Sequence, residues 1–234
     1  TKFKRINHFI CYSEFVKKYI DDKFKTNAVV IPPAVWIERK KIDKENIILS
    51  VGRFTKAMNT KKQEVLIDAF KKMFQKGLKN WRLVLIGSYR SEDIDYFEDI
   101  KKRASGFPIE VLGNVSYDDL VSYYNTSKIY WHAAGFGEDL DRNPQRAEHF
   151  GISTVEAMIV GCVPLVFNGG GQKEIVENKK DGFLWNSADE LIDLTAKLIK
   201  SSDMLTSMSS SSEKISKRFS KEVFCNRIKN IVSA

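Results

Sequence analysis

The chain has 234 residues, 43% hydrophobic and 29% charged, with a formal charge of +8. That is an ordinary globular composition; no apolar run approaches the roughly 20 residues of a membrane span, and Cys11, Cys162 and Cys225 are too few and too scattered for a disulfide framework or zinc pattern, so a reducing cytoplasmic setting is expected. The basic balance suits nucleic acid, anionic lipid or a phosphorylated small molecule, but the lysines are dispersed, and a solvated lysine-rich surface is the plainer reading.

Thr at position 1, with no signal-peptide pattern, reads as a piece of a longer protein. Phe9-Ile10-Cys11 suits a strand, 13–19 a helix capped by Ser13, and Val29-Val30-Ile31 a strand stopped by Pro32-Pro33. Residues 1–35 are therefore read as the tail of another domain, 36–45 as a charged linker, and 46–234 as one α/β domain. Ile47-Ile48-Leu49-Ser50-Val51 is a short apolar run ending at Gly52, and Val65, Leu66, Ala69, Phe70 and Met73 then recur at helical spacing. Leu83-Val84-Leu85-Ile86 ends at Gly87, with an acidic helix expected over 92–103. Ile109-Glu110-Val111-Leu112 ends at Gly113, and Ser116-Tyr117-Asp118-Asp119 opens another helix. Ile129-Tyr130-Trp131 is a strand. Val163-Pro164-Leu165-Val166-Phe167 runs into Gly169-Gly170-Gly171, with a short helix over 173–177 and a turn at Asp181-Gly182. The stretch 187–232 reads as helical, with a serine-rich break at 207–212. Repeated strand-glycine-helix units predict a doubly wound parallel sheet, Rossmann-like, whose strands are apolar throughout because both faces are buried. Ligands bind such sheets at the carboxyl ends of the strands.

One stretch on that rim carries chemistry. Glu148-His149-Phe150-Gly151-Ile152-Ser153-Thr154-Val155-Glu156 sets two carboxylates eight positions apart around a loop that turns into a helix. A helix start offers unpaired N–H groups and partial positive charge, which suits phosphate, and flanking carboxylates suit hydroxyl groups. Ser153 and Glu156 equally fit a capping box, a purely structural role, and Glu148 alone reads as a surface acid. Arg53 at a strand end and Lys61 before the next helix are cations able to neutralise a diphosphate; Lys62 competes with Lys61. Gly169-Gly170-Gly171 is either an anion cradle or a flexible turn. Asp93-Ile94-Asp95 and Asp139-Leu140-Asp141 match a metal-diphosphate pattern, but His8, His132 and His149 lack metal-ligand spacing, and no metal site is expected. His132, at a strand end, reads as a half-buried structural residue that could line the rim. The glycosylation sequons at Asn114 and Asn125 are discounted without a secretory signal.

Together these residues resemble the family-4 retaining glycosyltransferases. Glu148 to Glu156 matches that family's E-x7-E motif. Ile48-Leu49-Ser50-Val51-Gly52-Arg53, followed by Lys61 and Val65-Leu66-Ile67-Asp68-Ala69-Phe70, resembles another of its segments, and Leu112-Gly113-Asn114-Val115 and Gly161-Cys162-Val163-Pro164 fall in its order. The resemblance implies the GT-B architecture, two Rossmann-like domains facing across a cleft, with this chain as the carboxyl-terminal, donor-binding half and the amino-terminal, acceptor-side half missing. It implies a hexosyltransferase that moves a sugar from a UDP- or GDP-linked donor to a glycan or glycolipid acceptor, without a metal or other cofactor and with possible peripheral membrane contact. Arg53 and Lys61 would hold the diphosphate, and Glu148 would face the sugar. Glu156 would bind the ribose, Val115 would sit beside the base, and the backbone of Gly52, Phe150, Gly151, Ile152 and Ser153 would line the donor. The loop 136–147 would adapt the site to one sugar. A sugar-nucleotide epimerase or a non-catalytic nucleotide-sugar-binding module shares these features; a nucleic-acid binder does not need the carboxylate pair.

Overall fold

The structure, a computed structural model, describes residues 8–56 and 60–233; the first seven residues of the expected domain tail therefore lie outside the described residues. In chain order the elements are β1 (Ile10–Cys11), α1 (Glu14–Phe24), β2 (Val29–Val30), β3 (Glu45–Val51), α2 (Gln63–Gln75), β4 (Arg82–Gly87), α3 (Ile94–Ala104), β5 (Ile109–Gly113) and α4 (Tyr117–Thr126). Then follow β6 (Ser127–His132), α5 (Ile152–Ile159), β7 (Val163–Phe167), α6 (Gln172–Ile175), β8 (Phe183–Trp185), α7 (Ala188–Lys200), α8 (Ser202–Ser216) and α9 (Lys221–Val232).

The expected doubly wound sheet is present. Six parallel strands stand in the order β5-β4-β3-β6-β7-β8, so the strand order reverses between β3 and β6. Helices cover both faces, which is why Ile47, Ile48 and Leu49 are all fully buried although successive side chains point to opposite faces. One face packs Leu66, Phe70 and Trp131 under α2 and α7. The other packs Ile47, Val84, Tyr124 and Tyr130 under α4 and α5.

β1 and β2 form a separate two-stranded parallel sheet. Ser13 caps α1, accepting from the Val16 N–H at 3.2 Å, and its hydroxyl donates to the His149 carbonyl at 2.6 Å. The Glu174 carboxylate accepts from the Glu14 and Phe15 N–H groups, both at 2.8 Å. A carboxylate at a helix start is favoured by the unmet N–H groups there, and it ties α1 to the larger sheet.

The expected serine-rich break at 207–212 is not present: α8 runs unbroken from Ser202 to Ser216. Ser209 donates to the Gly161 carbonyl at 2.6 Å and Ser212 to the Cys162 carbonyl at 2.9 Å, so these hydroxyls satisfy the α5–β7 connection instead of competing with their own helix. The chain breaks instead at Ser201, which caps α8. Among the described residues no helix is long and apolar enough to cross a membrane.

Candidate functional site

The strand-order reversal between β3 and β6 is where a doubly wound sheet opens a crevice, and a cavity of ≈ 650 Å³ lies there. All ten residues singled out in the sequence line it: Gly52, Arg53, Lys61, Val115, Glu148, Phe150, Gly151, Ile152, Ser153 and Glu156. Gly52, Arg53 and Lys61 follow β3, Val115 follows β5, and the others follow β6. Neither Asp139 nor Asp141 lines the cavity, and Asp139 turns back to accept from the Arg142 N–H.

The β3–α2 turn is shaped around two cations. A Cβ on Gly52 would stand 2.6 Å from the Lys61 Cγ, so only glycine leaves room for that side chain. Buried Gln63 donates to the carbonyls of Gly52 and Arg53, at 3.2 and 3.0 Å. Arg53 is exposed to the cleft and forms no ion pair among the described residues. Lys62 does not compete with Lys61: it pairs with Glu138 at 2.6 Å, and Arg146 takes the other oxygen of Glu138.

Glu148 is drawn inward. Lys61 Nζ lies 2.6 Å and His132 Nε2 3.0 Å from its Oε2. Burial pushes the carboxyl up, but the His132 hydrogen bond and the Lys61 charge outweigh it and hold the group well below its ordinary range. His132 is also shifted down, but for the opposite reason: burial disfavours its cation more than Glu148 favours it. Glu148 is thus an ionised carboxylate beside a neutral imidazole.

Ser153 and Glu156 do not form the capping box that their spacing permits. Gly151 is the N-cap of α5 at φ 120°, a conformation suited to glycine, and a Cβ there would meet Gln172 Nε2 at 2.6 Å. Ser153 instead accepts from the Tyr130 hydroxyl at 2.8 Å, and Glu156 from the Tyr124 hydroxyl at 2.8 Å. Burial raises the Glu156 carboxyl, and the Tyr124 bond opposes that rise. The N–H groups of Ile152 and Ser153 sit in the first turn of α5 without an intrahelical acceptor. The Phe150 ring is buried and packs on Phe219 at 5.4 Å between centroids.

Gly170 and Gly171 serve the same loop. A Cβ on Gly170 would lie 2.2 Å from the Glu148 carbonyl oxygen, and one on Gly171 2.4 Å from that of His149. The Gly171 N–H donates to the Glu148 carbonyl at 2.8 Å. Gly170 and Gly171 therefore form a packing surface for the Glu148 loop. At the far wall, Ile86, Val115 and Leu120 give an apolar side, and the Asn114 amide is already engaged by the Tyr89 backbone. The second sequon asparagine, Asn125, is buried and bonds Glu38 and Val121 carbonyls.

Sequence reasoning passed over Gln63, Tyr124 and Tyr130, and read His132 as structural. Tyr124 and Tyr130 look like ordinary core aromatics; only their hydroxyls, aimed at Glu156 and Ser153, mark them as supports.

The family model of the glycosyl transferases group 1 matches residues 35–215. A GDP-Man:Man(3)GlcNAc(2)-PP-Dol alpha-1,2-mannosyltransferase of Xenopus laevis is 29% identical over 180 residues, covering 69% of this chain and 34% of that protein. The chain spans about a quarter to just over half of the length of the curated relatives it matches. In structure it is similar to an Anabaena protein crystallised with UDP and glucose (TM-score 0.79, 18% identity, 97% of this chain and 63% of that one). It is also similar to the C-terminal domain of a glycosyl transferase group 1 family protein from Francisella tularensis (TM-score 0.61, 20% identity, 76% of this chain and 89% of that one).

Proposed function

This chain belongs to the group 1 glycosyl transferases, and from that premise we propose that it is the donor-binding half of a retaining hexosyltransferase using a nucleotide-diphosphate sugar. The carrying observation is the convergence of two cations, an open helix start and two differently held carboxylates on one crevice. Arg53, Lys61 and the N–H groups of Ile152 and Ser153 stand where a diphosphate would sit. As the bond from sugar to diphosphate breaks, negative charge grows on the leaving group, and preorganised donors of this type commonly contribute about 3 kcal/mol each. In this reading no metal is needed. Glu156, a single acceptor propped by Tyr124, receives the ribose hydroxyls; Val115 lies beside the base; Glu148 receives a sugar hydroxyl.

GDP-mannose is the first donor to test, because the Xenopus relative, matched through sequence, carries that donor in its name; a UDP-sugar is the second, after the Anabaena complex. The acceptor, a glycan or a lipid-linked glycan at a membrane face, would be held by an acceptor-side domain, of which residues 1–35 would be a remnant. The test is transfer by the full-length enzyme from labelled GDP-mannose, with the product's anomeric configuration read by NMR. Acceptor-dependent transfer with retained α configuration is expected. Sugar turnover without acceptor would favour an epimerase, and an inverted product would overturn the retaining mechanism.

A further inference from the structure

Resting on the reading of Glu148 as the sugar-facing carboxylate, we propose that His132 is a positioning residue that makes Glu148 a one-oxygen reader of the donor sugar. His132 closes β6, is 2% exposed, and does not line the cleft. Its reach to the ligand is only through Glu148.

Both donors on Glu148 converge on one atom. Lys61 Nζ at 2.6 Å and His132 Nε2 at 3.0 Å share Oε2, while Oε1 has no hydrogen bond among the described residues. A carboxylate that takes a single donor can still turn about its own Cγ–Cδ bond, and either oxygen can face the cleft. Adding a second donor from a rigid strand end fixes the carboxylate plane and leaves Oε1 as the acceptor for a ligand hydroxyl. One acceptor in one direction distinguishes sugars by where their hydroxyls point, and a site built to bond a hydroxyl discriminates far more strongly than an apolar one.

The tautomer follows from the same geometry. An ionised carboxylate only accepts, so Nε2 carries the hydrogen. Nδ1 is buried and has no partner. In the neutral ring that atom is a bare acceptor; protonation would create a buried N–H with nothing to receive it. His132 therefore orients Glu148 without neutralising it.

The test is calorimetric titration of the whole chain with matched pairs, GDP against GDP-mannose and UDP against UDP-glucose. His132→Phe and His132→Asn both remove the donor that reaches Glu148. Each is expected to weaken the sugar-bearing ligand about tenfold while the bare diphosphate changes less than about twofold. His132→Gln places an amide N–H near the Nε2 position and is expected to stay within about threefold of the unaltered chain for both ligands. If the Phe variant does not fold, the Asn variant carries the same expectation. A loss shared equally by both ligands, or no loss in the folded variants, overturns the role of His132 and leaves the nucleotide site standing. Failure of the unaltered chain to bind any of the four ligands overturns both readings.

Discussion

The two rims of the six-stranded sheet carry similar side chains and do different things with them. At the amino ends of the strands, Arg82 bridges Glu45 at 2.7 Å and Glu110. Lys128 donates to Asn46 at 2.6 Å, and Lys44 to the Ser127 carbonyl at 2.5 Å. A cavity of ≈ 760 Å³ opens among these residues, larger than the ≈ 650 Å³ at the carboxyl rim. Size is therefore a poor guide. At the amino rim the charges answer one another across neighbouring strands. At the carboxyl rim Arg53 forms no ion pair among the described residues, the start of α5 keeps open N–H groups, and Glu148 keeps one oxygen free. A ligand site is where polar groups are held in place by others and left with capacity, and the reversal of strand order puts that rim at a crevice.

Substitutions sharpen this contrast. The largest effect is expected from Lys61→Ala or Arg53→Ala in the full-length enzyme, which should lose turnover by more than about tenfold, approaching 100-fold; unchanged kinetics would remove either residue from the proposed mechanism. Next, Glu156→Gln should weaken nucleoside-diphosphate binding by about tenfold, near 1.4 kcal/mol, in calorimetry. Tyr124→Phe, which deletes only the supporting hydroxyl, should cost about 1 kcal/mol in chemical denaturation and a few-fold in nucleotide affinity. Glu148→Gln is a pH experiment. The folded-state pKa of Glu148 lies below its ordinary 4.5, so its contribution is fully present above that pH and is lost as pH falls. The stability gap between the parent and Glu148→Gln should thus narrow as pH drops from 7 to 3, and a gap independent of pH would contradict the assigned charge state. The smallest effect is expected at the other rim. Arg82 is part-exposed, and Arg82→Ala should change stability by under about 1 kcal/mol and leave nucleotide affinity untouched.

The sheet was legible because β3, β4 and β5 are largely apolar runs closed by a glycine, at Gly52, Gly87 and Gly113, and because both-face burial removes alternation in the central strands. The cleft residues were legible through the family resemblance and their place at strand ends. What escaped was set by partners distant in sequence. His132 stands 16 positions from Glu148 with no helical or strand spacing to join them. Ser209 and Ser212 look like helix breakers until Gly161 and Cys162, about 50 residues earlier, are seen to receive their hydroxyls. The capping box of Ser153 and Glu156 satisfied a local rule, but Tyr130 and Tyr124 from beneath bind the same oxygens.

The most direct test is a calorimetric titration of this chain with GDP, UDP, ADP and TDP, repeated on Arg53→Ala and Arg82→Ala. One nucleoside diphosphate should bind with 1:1 stoichiometry, lose affinity at least tenfold with Arg53→Ala, about 1.4 kcal/mol or more, and keep it with Arg82→Ala. Binding that follows Arg82 instead of Arg53, or no binding of any of the four, would contradict the assignment of the carboxyl rim as the nucleotide site.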